Sequence, residues 1–107
     1  MISGLWNAQI DAHGNKAGGV AVFVNGKVLG GDSAFIWSGT FQESGDSFKA
    51  AVHVKQYDQT VQSIFGIAEY DMHIDGRIQG DRITGTGTSP SLGPTKLTVT
   101  LIKRADV

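Results

Sequence analysis

From Ser47 to Gln56 the chain alternates without a break. Phe48, Ala50, Val52 and Val54 share one parity, and Lys49, Ala51, His53 and Lys55 share the other. Side chains on an extended strand point to opposite faces in turn, so a period of two produces one apolar face and one wetted face. A strand of this kind needs neighbours on both sides and a core beneath it, which points the surrounding chain towards sheet. The composition agrees. Val, Ile and Thr number 9, 9 and 8, against 5 Leu and 2 Glu. Branched side chains lose freedom in a helix and pack well on a pleated surface. Gly is abundant at 15 residues while Pro is scarce at 2. Glycine permits bulges and sharp bends, whereas proline interrupts a hydrogen-bond ladder. No segment sustains an apolar period of 3.6 residues.

Further candidate strands follow at short intervals. The first runs from Gly4 to Asp11, with Trp6, Ala8 and Ile10 on one face, and His13-Gly14-Asn15-Lys16 turns the chain. The second, Ala17 to Val24, places Val20, Val22 and Val24 together. Asn25-Gly26 is the strongest local signal, because both residues tolerate the positive φ of a two-residue type I′ hairpin. Lys27 to Leu29 forms a short third strand ending at Gly30-Gly31-Asp32, and Ala34 to Phe41 a fourth. Glu43-Ser44-Gly45-Asp46 is a polar turn into the alternating fifth strand. Thr60 to Ile67 fits a helical turn or an irregular crossing. Tyr70 to Ile78, Arg82 to Thr88 and Lys96 to Lys103 complete the set. Gly80-Asp81 lies between the sixth and seventh strands, and Pro90 and Pro94 between the last two. The expected fold is all-β: one domain over residues 1–107, an eight-stranded antiparallel up-and-down β-barrel with at most one short helix. Closure removes the exposed edges that a flat sheet would carry.

Charge and residue types narrow the function. Nine basic residues nearly balance ten acidic ones, for a net charge of −1. Binding of nucleic acid by general phosphate attraction is not expected from that balance. No apolar run reaches the roughly 18 residues of a membrane-spanning helix. The opening Met1-Ile2-Ser3-Gly4 lacks the charged and apolar regions of a secretory signal, so the chain is expected in the cytoplasm. With no cysteine, disulfides, thiol nucleophiles and cysteine-held metal sites are excluded.

The remaining chemistry is sparse. His13 falls in a turn, and His53 and His73 fall on the polar parity of their strands, which reads as surface histidine. Asp71, His73 and Asp75 lie about 7 Å apart along one strand face, too far for a shared metal, so no metal site or cofactor is expected. Gly30-Gly31-Asp32 precedes a strand and not a helix, and no Gly-Lys-Ser or Gly-Lys-Thr accompanies it. Gly85 and Gly87 read as glycines at a barrel bend. No serine sits in a Gly-x-Ser-x-Gly elbow, and the two glutamates, Glu43 and Glu69, have no evident catalytic partner. No catalytic residue is proposed. The inward set of Trp37, Phe48, Val52, Val54, Met72, Ile74 and Leu101 lines an apolar interior. An eight-stranded barrel is just wide enough to be filled by such side chains or to hold one small apolar ligand.

Two stretches resemble known families. Gly4-Leu5-Trp6 resembles the Gly-x-Trp of lipocalin-like (calycin) barrels. There the Trp closes one barrel end beneath a basic residue of the last strand, a part for which Lys103 and Arg104 are the candidates. The stretch from Asn25 to Phe41 is similar to the GrlR family, small negative regulators of bacterial type III secretion. It shares the Asn25-Gly26 turn, Gly30-Gly31-Asp32 and the aromatic-x-Gly of Trp37-Ser38-Gly39. The resemblance implies a cytoplasmic lipocalin-like barrel that forms a homodimer and sequesters a transcriptional activator. It places the partner contact in the loop after the fourth strand, here Glu43, Ser44, Gly45 and Asp46. The family's best-studied type carries an acidic run in that loop; this chain has two acids, separated by Ser44 and Gly45. The alternative expectation is a carrier or sensor of a small apolar ligand.

Overall fold

The structure, a computed structural model, describes residues 2–58 and 67–107. Eight strands follow in chain order: β1 Gly4–Ala12, β2 Asn15–Val24, β3 Lys27–Gly31, β4 Phe35–Ser44, β5 Ser47–Gln56, β6 Glu69–Gln79, β7 Arg82–Thr88 and β8 Leu97–Ala105. Each pairs antiparallel with the next, and β8 returns to β1, giving a closed up-and-down barrel. A 3-10 turn at Pro90–Leu92 is the only helical element among the described residues. No helix among them is long and apolar enough to cross a membrane. The stretch from Thr60 lies outside the described residues as far as residue 66.

Four turns account for the register. His13 and Gly14 both have positive φ (53° and 88°), as do Asn25 and Gly26 (51° and 76°). That is the backbone signature of the type I′ hairpin, whose twist matches that of its strands. Gly45 and Gly80 carry positive φ as the first residue of a two-residue turn, which fits type II′. The expected four-residue turns at His13–Lys16 and Glu43–Asp46 are therefore tighter than they read. Asn15 and Lys16 pair with Ala12 and Asp11, while Ser44 pairs with Ser47.

Inward parity supplies the core. Trp6 and Ala8 of β1, Phe48, Ala50, Val52 and Val54 of β5, Met72 of β6 and Leu97, Val99 and Leu101 of β8 are all buried. In β2 the buried residues are Ala21 and Phe23, and Val20, Val22 and Val24 share the outer face. The Asn25-Gly26 turn explains this: it sets Val24 opposite Lys27, and directly opposed residues point to the same side of a sheet. Lysine goes to water and takes the valines with it.

An aromatic cluster fills one end. Phe23 meets Trp6, Phe41 and Phe48 edge-on, with ring centroids 5.8, 5.1 and 5.4 Å apart. Trp6 donates from Nε1 to the Ile2 carbonyl at 2.8 Å, folding the buried Ile2 over the same end. Lys103 lies opposite Trp6 in the β1–β8 register, and its ammonium reaches Asp106 at 2.6 Å. Arg104 faces outward and donates to the Asn7 Oδ1 at 2.6 Å. Of the two candidate cations, Lys103 is thus the one placed opposite Trp6, and Arg104 lies on the outer face.

Close backbone packing explains two glycines. A Cβ at Gly85 would lie 2.3 Å from the Asp75 carbonyl oxygen, where β6 and β7 cross at the Gly76–Gly85 pair. A Cβ at Gly19 would strike both the Gly31 carbonyl oxygen, at 2.3 Å, and the Trp37 indole, at 2.8 Å.

Candidate functional site

The interior brings all seven predicted lining residues together. Trp37 from β4, Phe48, Val52 and Val54 from β5, Met72 and Ile74 from β6, and Leu101 from β8 surround an apolar cavity of about 50 Å³. Sequence reasoning missed several others on the same wall, among them Ala8, Ala21, Val28, Tyr70 and Val99. Alternation was the available signal: Ala8 lies two residues from Trp6, and Tyr70 two from Met72. Tyr70 brings the one hydroxyl of the lining. Burial pushes its pKa up to about 12, with the Asp32 carboxylate adding to the effect, so it stays a neutral phenol.

Size limits what the cavity can hold. A water needs roughly 10–15 Å³ of such space, and an engineered apolar cavity of about 150 Å³ accommodates benzene. Pockets for drug-sized ligands run from about 300 Å³ upwards. At about 50 Å³ the interior has room for a molecule of a few heavy atoms, not for a fatty-acid chain.

The β4–β5 hairpin presents the second predicted site. Glu43, Ser44, Gly45 and Asp46 are all exposed. Glu43 accepts a hydrogen bond from the Ile2 backbone amide at 3.3 Å, tying the hairpin to the segment that covers Trp6. Arg77 donates to the Asp46 carboxylate at 3.3 Å, and the Asp46 carbonyl accepts from the Ile78 amide at 2.7 Å. The two acids thus stand in water on a tip anchored from both sides. The Asp46–Arg77 pair is exposed and worth at most about 1 kcal/mol.

The outer wall divides into three faces. Over β2, β3 and β4 it is apolar: Val20, Leu29 and Ile36 are each about half exposed, at 48%, 48% and 51%. Over β5 and β6 it is a charge ladder. Lys49 faces Asp75 at 3.9 Å, and Lys55 is paired in register with Glu69. The His53 imidazole is held on both nitrogens, Nδ1 by Asp71 at 2.8 Å and Nε2 by Glu69 at 2.7 Å. These two carboxylates raise the His53 pKa above its ordinary value, Asp71 contributing most. His53 is on the surface as expected, but it works as a cross-strand clasp, which its parity alone did not reveal. Over β7 and β8 the wall is threonine: Thr84 opposes Thr100, and Thr86 opposes Thr98. Among the described residues no group of three or more His, Asp or Glu side chains is arranged to hold a metal ion.

No protein-family model matches the chain, and no curated protein matches it significantly.

Proposed function

We propose that this barrel is a non-enzymatic cytoplasmic regulator that binds and sequesters a protein partner, a transcriptional activator of a secretion system. The observation that carries the reading is the β4–β5 hairpin. Its tip exposes Glu43, Ser44, Gly45 and Asp46, and two anchors, the Ile2 amide and Arg77, hold the acids in place. A rigid exposed tip spends little ordering entropy on binding. The GrlR-like stretch from Asn25 to Phe41 forms the neighbouring β3–β4 hairpin, so the resemblance and the proposed contact lie on one continuous piece of sheet. Closure supports a side-chain contact as well. Every strand has two neighbours, so a partner reads the surface and does not add a strand.

Affinity capture from the source bacterium tests this, using the native chain and a Glu43→Ala/Asp46→Ala variant in parallel. A transcription regulator retained by the first and lost by the second is the expected result. Recovery of no regulator, or equal recovery by both, rejects the hairpin as the contact.

The cavity favours a second reading, a carrier or sensor for a small apolar molecule. Its walls are almost wholly apolar, and Trp37 sits on them as a reporter. Trp fluorescence titrated with small apolar molecules and with fatty acids separates the cases. A response to the former alone fits the cavity, and a flat response to both disposes of this reading.

A further inference from the structure

We propose that the outer face of β2, β3 and β4 docks on an anionic lipid surface. Its aliphatic side chains enter the headgroup layer and the lysines around them meet the lipid phosphates. This goes beyond the regulator reading and depends neither on the hairpin contact nor on the interior cavity.

The face is apolar but has no anchor for a folded partner. Its outward residues form two rows of the ladder, Val22, Leu29, Ser38 and Val20, Gly31, Ile36. Val20, Leu29 and Ile36 are about half exposed. Apolar groups gathered on one exposed patch mark an interaction surface. Hot spots of protein interfaces are rich in Trp, Tyr and Arg and poor in Leu and Val, the reverse of what stands here. Barrel closure also leaves no strand edge for a partner to extend.

Shape favours a plane. Eight strands share one circuit of the wall, so the outward direction swings by about 45° from each strand to the next. Seen from this side β3 is a crest, with Val20 and Ile36 on its two shoulders. A convex crest meets a flat surface that yields around it, and Leu29 goes deepest.

Charge selects the kind of surface. Lys27 stands on the crest, two residues from Leu29. Lys55 lies opposite Ile36, and Lys16 lies beyond Gly18 on the outer parity of β2. On the β1 side Arg104 reaches Asn7, the register partner of Val20. Among the described residues Lys16, Lys27 and Lys55 enter no ion pair, whereas Lys49, Arg77 and Lys103 each meet an aspartate. The carboxylates on this side are engaged elsewhere. Asp11 accepts from the Gly14 amide at 2.9 Å, and Asp32 from the Ala34 and Phe35 amides at 2.8 Å each. Glu69, across β5 from the face, is bonded to His53. Lysine stems lie along apolar surface while their ammonium groups stay in water, so these side chains suit the margin of a membrane contact. Aliphatic insertion joined to basic residues is how a peripheral protein holds an anionic interface.

Co-sedimentation with vesicles tests this on the whole chain, using phosphatidylcholine alone and phosphatidylcholine with about one-third phosphatidylserine. The native protein should bind the second and not the first, and added salt should release it. Lys27→Gln and Lys55→Gln should each weaken binding about fivefold, and together about 25-fold. Leu29→Ser should weaken it about fivefold by removing the deepest side chain. Arg82→Gln is the control: it removes the same charge from β7, four strands from β3 on the opposite wall, and should change nothing. Melting of each variant excludes unfolding. No binding to either vesicle overturns the proposal, as does equal binding to both or equal loss from Arg82→Gln and Lys27→Gln. So does a protein, whether a regulator or a second copy, that Leu29→Ser releases while vesicle binding is unaffected. Glu43→Ala/Asp46→Ala should leave vesicle binding intact, so failure of the hairpin contact and failure of this face are read separately.

Discussion

Removing Phe23 tests the barrel register more sharply than any other single change. Phe23 is 2% exposed and touches three aromatic rings edge-on. Phe23→Ala deletes a full ring from a core that can only partly collapse, at a cost of about 3–5 kcal/mol. Lost edge-to-face contacts, about 0.5–1.5 kcal/mol each, are contained in that figure. One position earlier, Val22 points outward, and Val22→Ala should cost less than about 1 kcal/mol. With a urea m-value near 2 kcal/mol/M for a domain of this size, the alanine at 23 lowers the midpoint by about 1.5–2.5 M, and the alanine at 22 by less than about 0.5 M. A domain stable by about 5–15 kcal/mol survives the first change unless it starts near the bottom of that range. Phe23→Leu, which keeps most of the volume at a cost of about 1–2 kcal/mol, serves as the gentler partner. Unfolding is read from Trp6, whose ring centroid lies 5.8 Å from that of Phe23. Equal midpoint shifts at 22 and 23, or a larger one at 22, would show that β2 sits one residue out of the register described, with every side chain on the opposite face.

Other perturbations reach other parts of the molecule. His53 should titrate above 6.5 by NMR, and Asp71→Asn with Glu69→Gln should bring it back towards that value. Because the folded pKa is the raised one, the clasp stabilises fully below pH 6.5 and its contribution fades as pH rises through the folded value. Stability that instead grows over that window would contradict the geometry. Tyr70, raised to about 12, should remain un-ionised in absorbance titrations until far above pH 10, and stability should decline between about pH 10 and 12 as the unfolded phenol ionises first. Gly19→Ala forces its Cβ against the Gly31 carbonyl and Trp37, so it should lower the melting temperature and shift the Trp emission; an unchanged spectrum would count against the close approach. Leu101→Ala enlarges the cavity and should cost about 2–5 kcal/mol while creating a site for benzene, seen as a gain in melting temperature when benzene is added.

Strand order was legible because the sheet is a meander. Turn residues at Asn25-Gly26 and Gly80-Asp81 separate runs with a period of two, and β5 and β7 begin and end where the alternation does. The interior was legible for the same reason: from Phe48 to Val54 and from Leu97 to Leu101 parity alone sorts inside from outside. β2 was harder. Its three valines are the most apolar residues of the strand, yet the buried ones are Ala21 and Phe23. Hydrophobicity within one strand does not decide its face when both parities are apolar; the cross-strand partner Lys27 does. The turn at His13-Gly14-Asn15-Lys16 was legible but its two-residue form was not, because histidine adopts positive φ less readily than asparagine. The His53 clasp needed the pairing of β5 with β6, because Asp71 lies 18 residues away and only the register brings it opposite. Interior volume depends on how Trp37, Phe48 and Tyr70 pack together, which no single strand encodes.

The seam between β1 and β8 has a topological corollary. The first and last strands lie side by side, so both leave the wall at the same rim. A short tether across that rim, with a new break at His13-Gly14, would yield a circularly permuted chain whose ladders are all unchanged. Such a chain should reach the same barrel, because no pairing in it depends on which strand is made first.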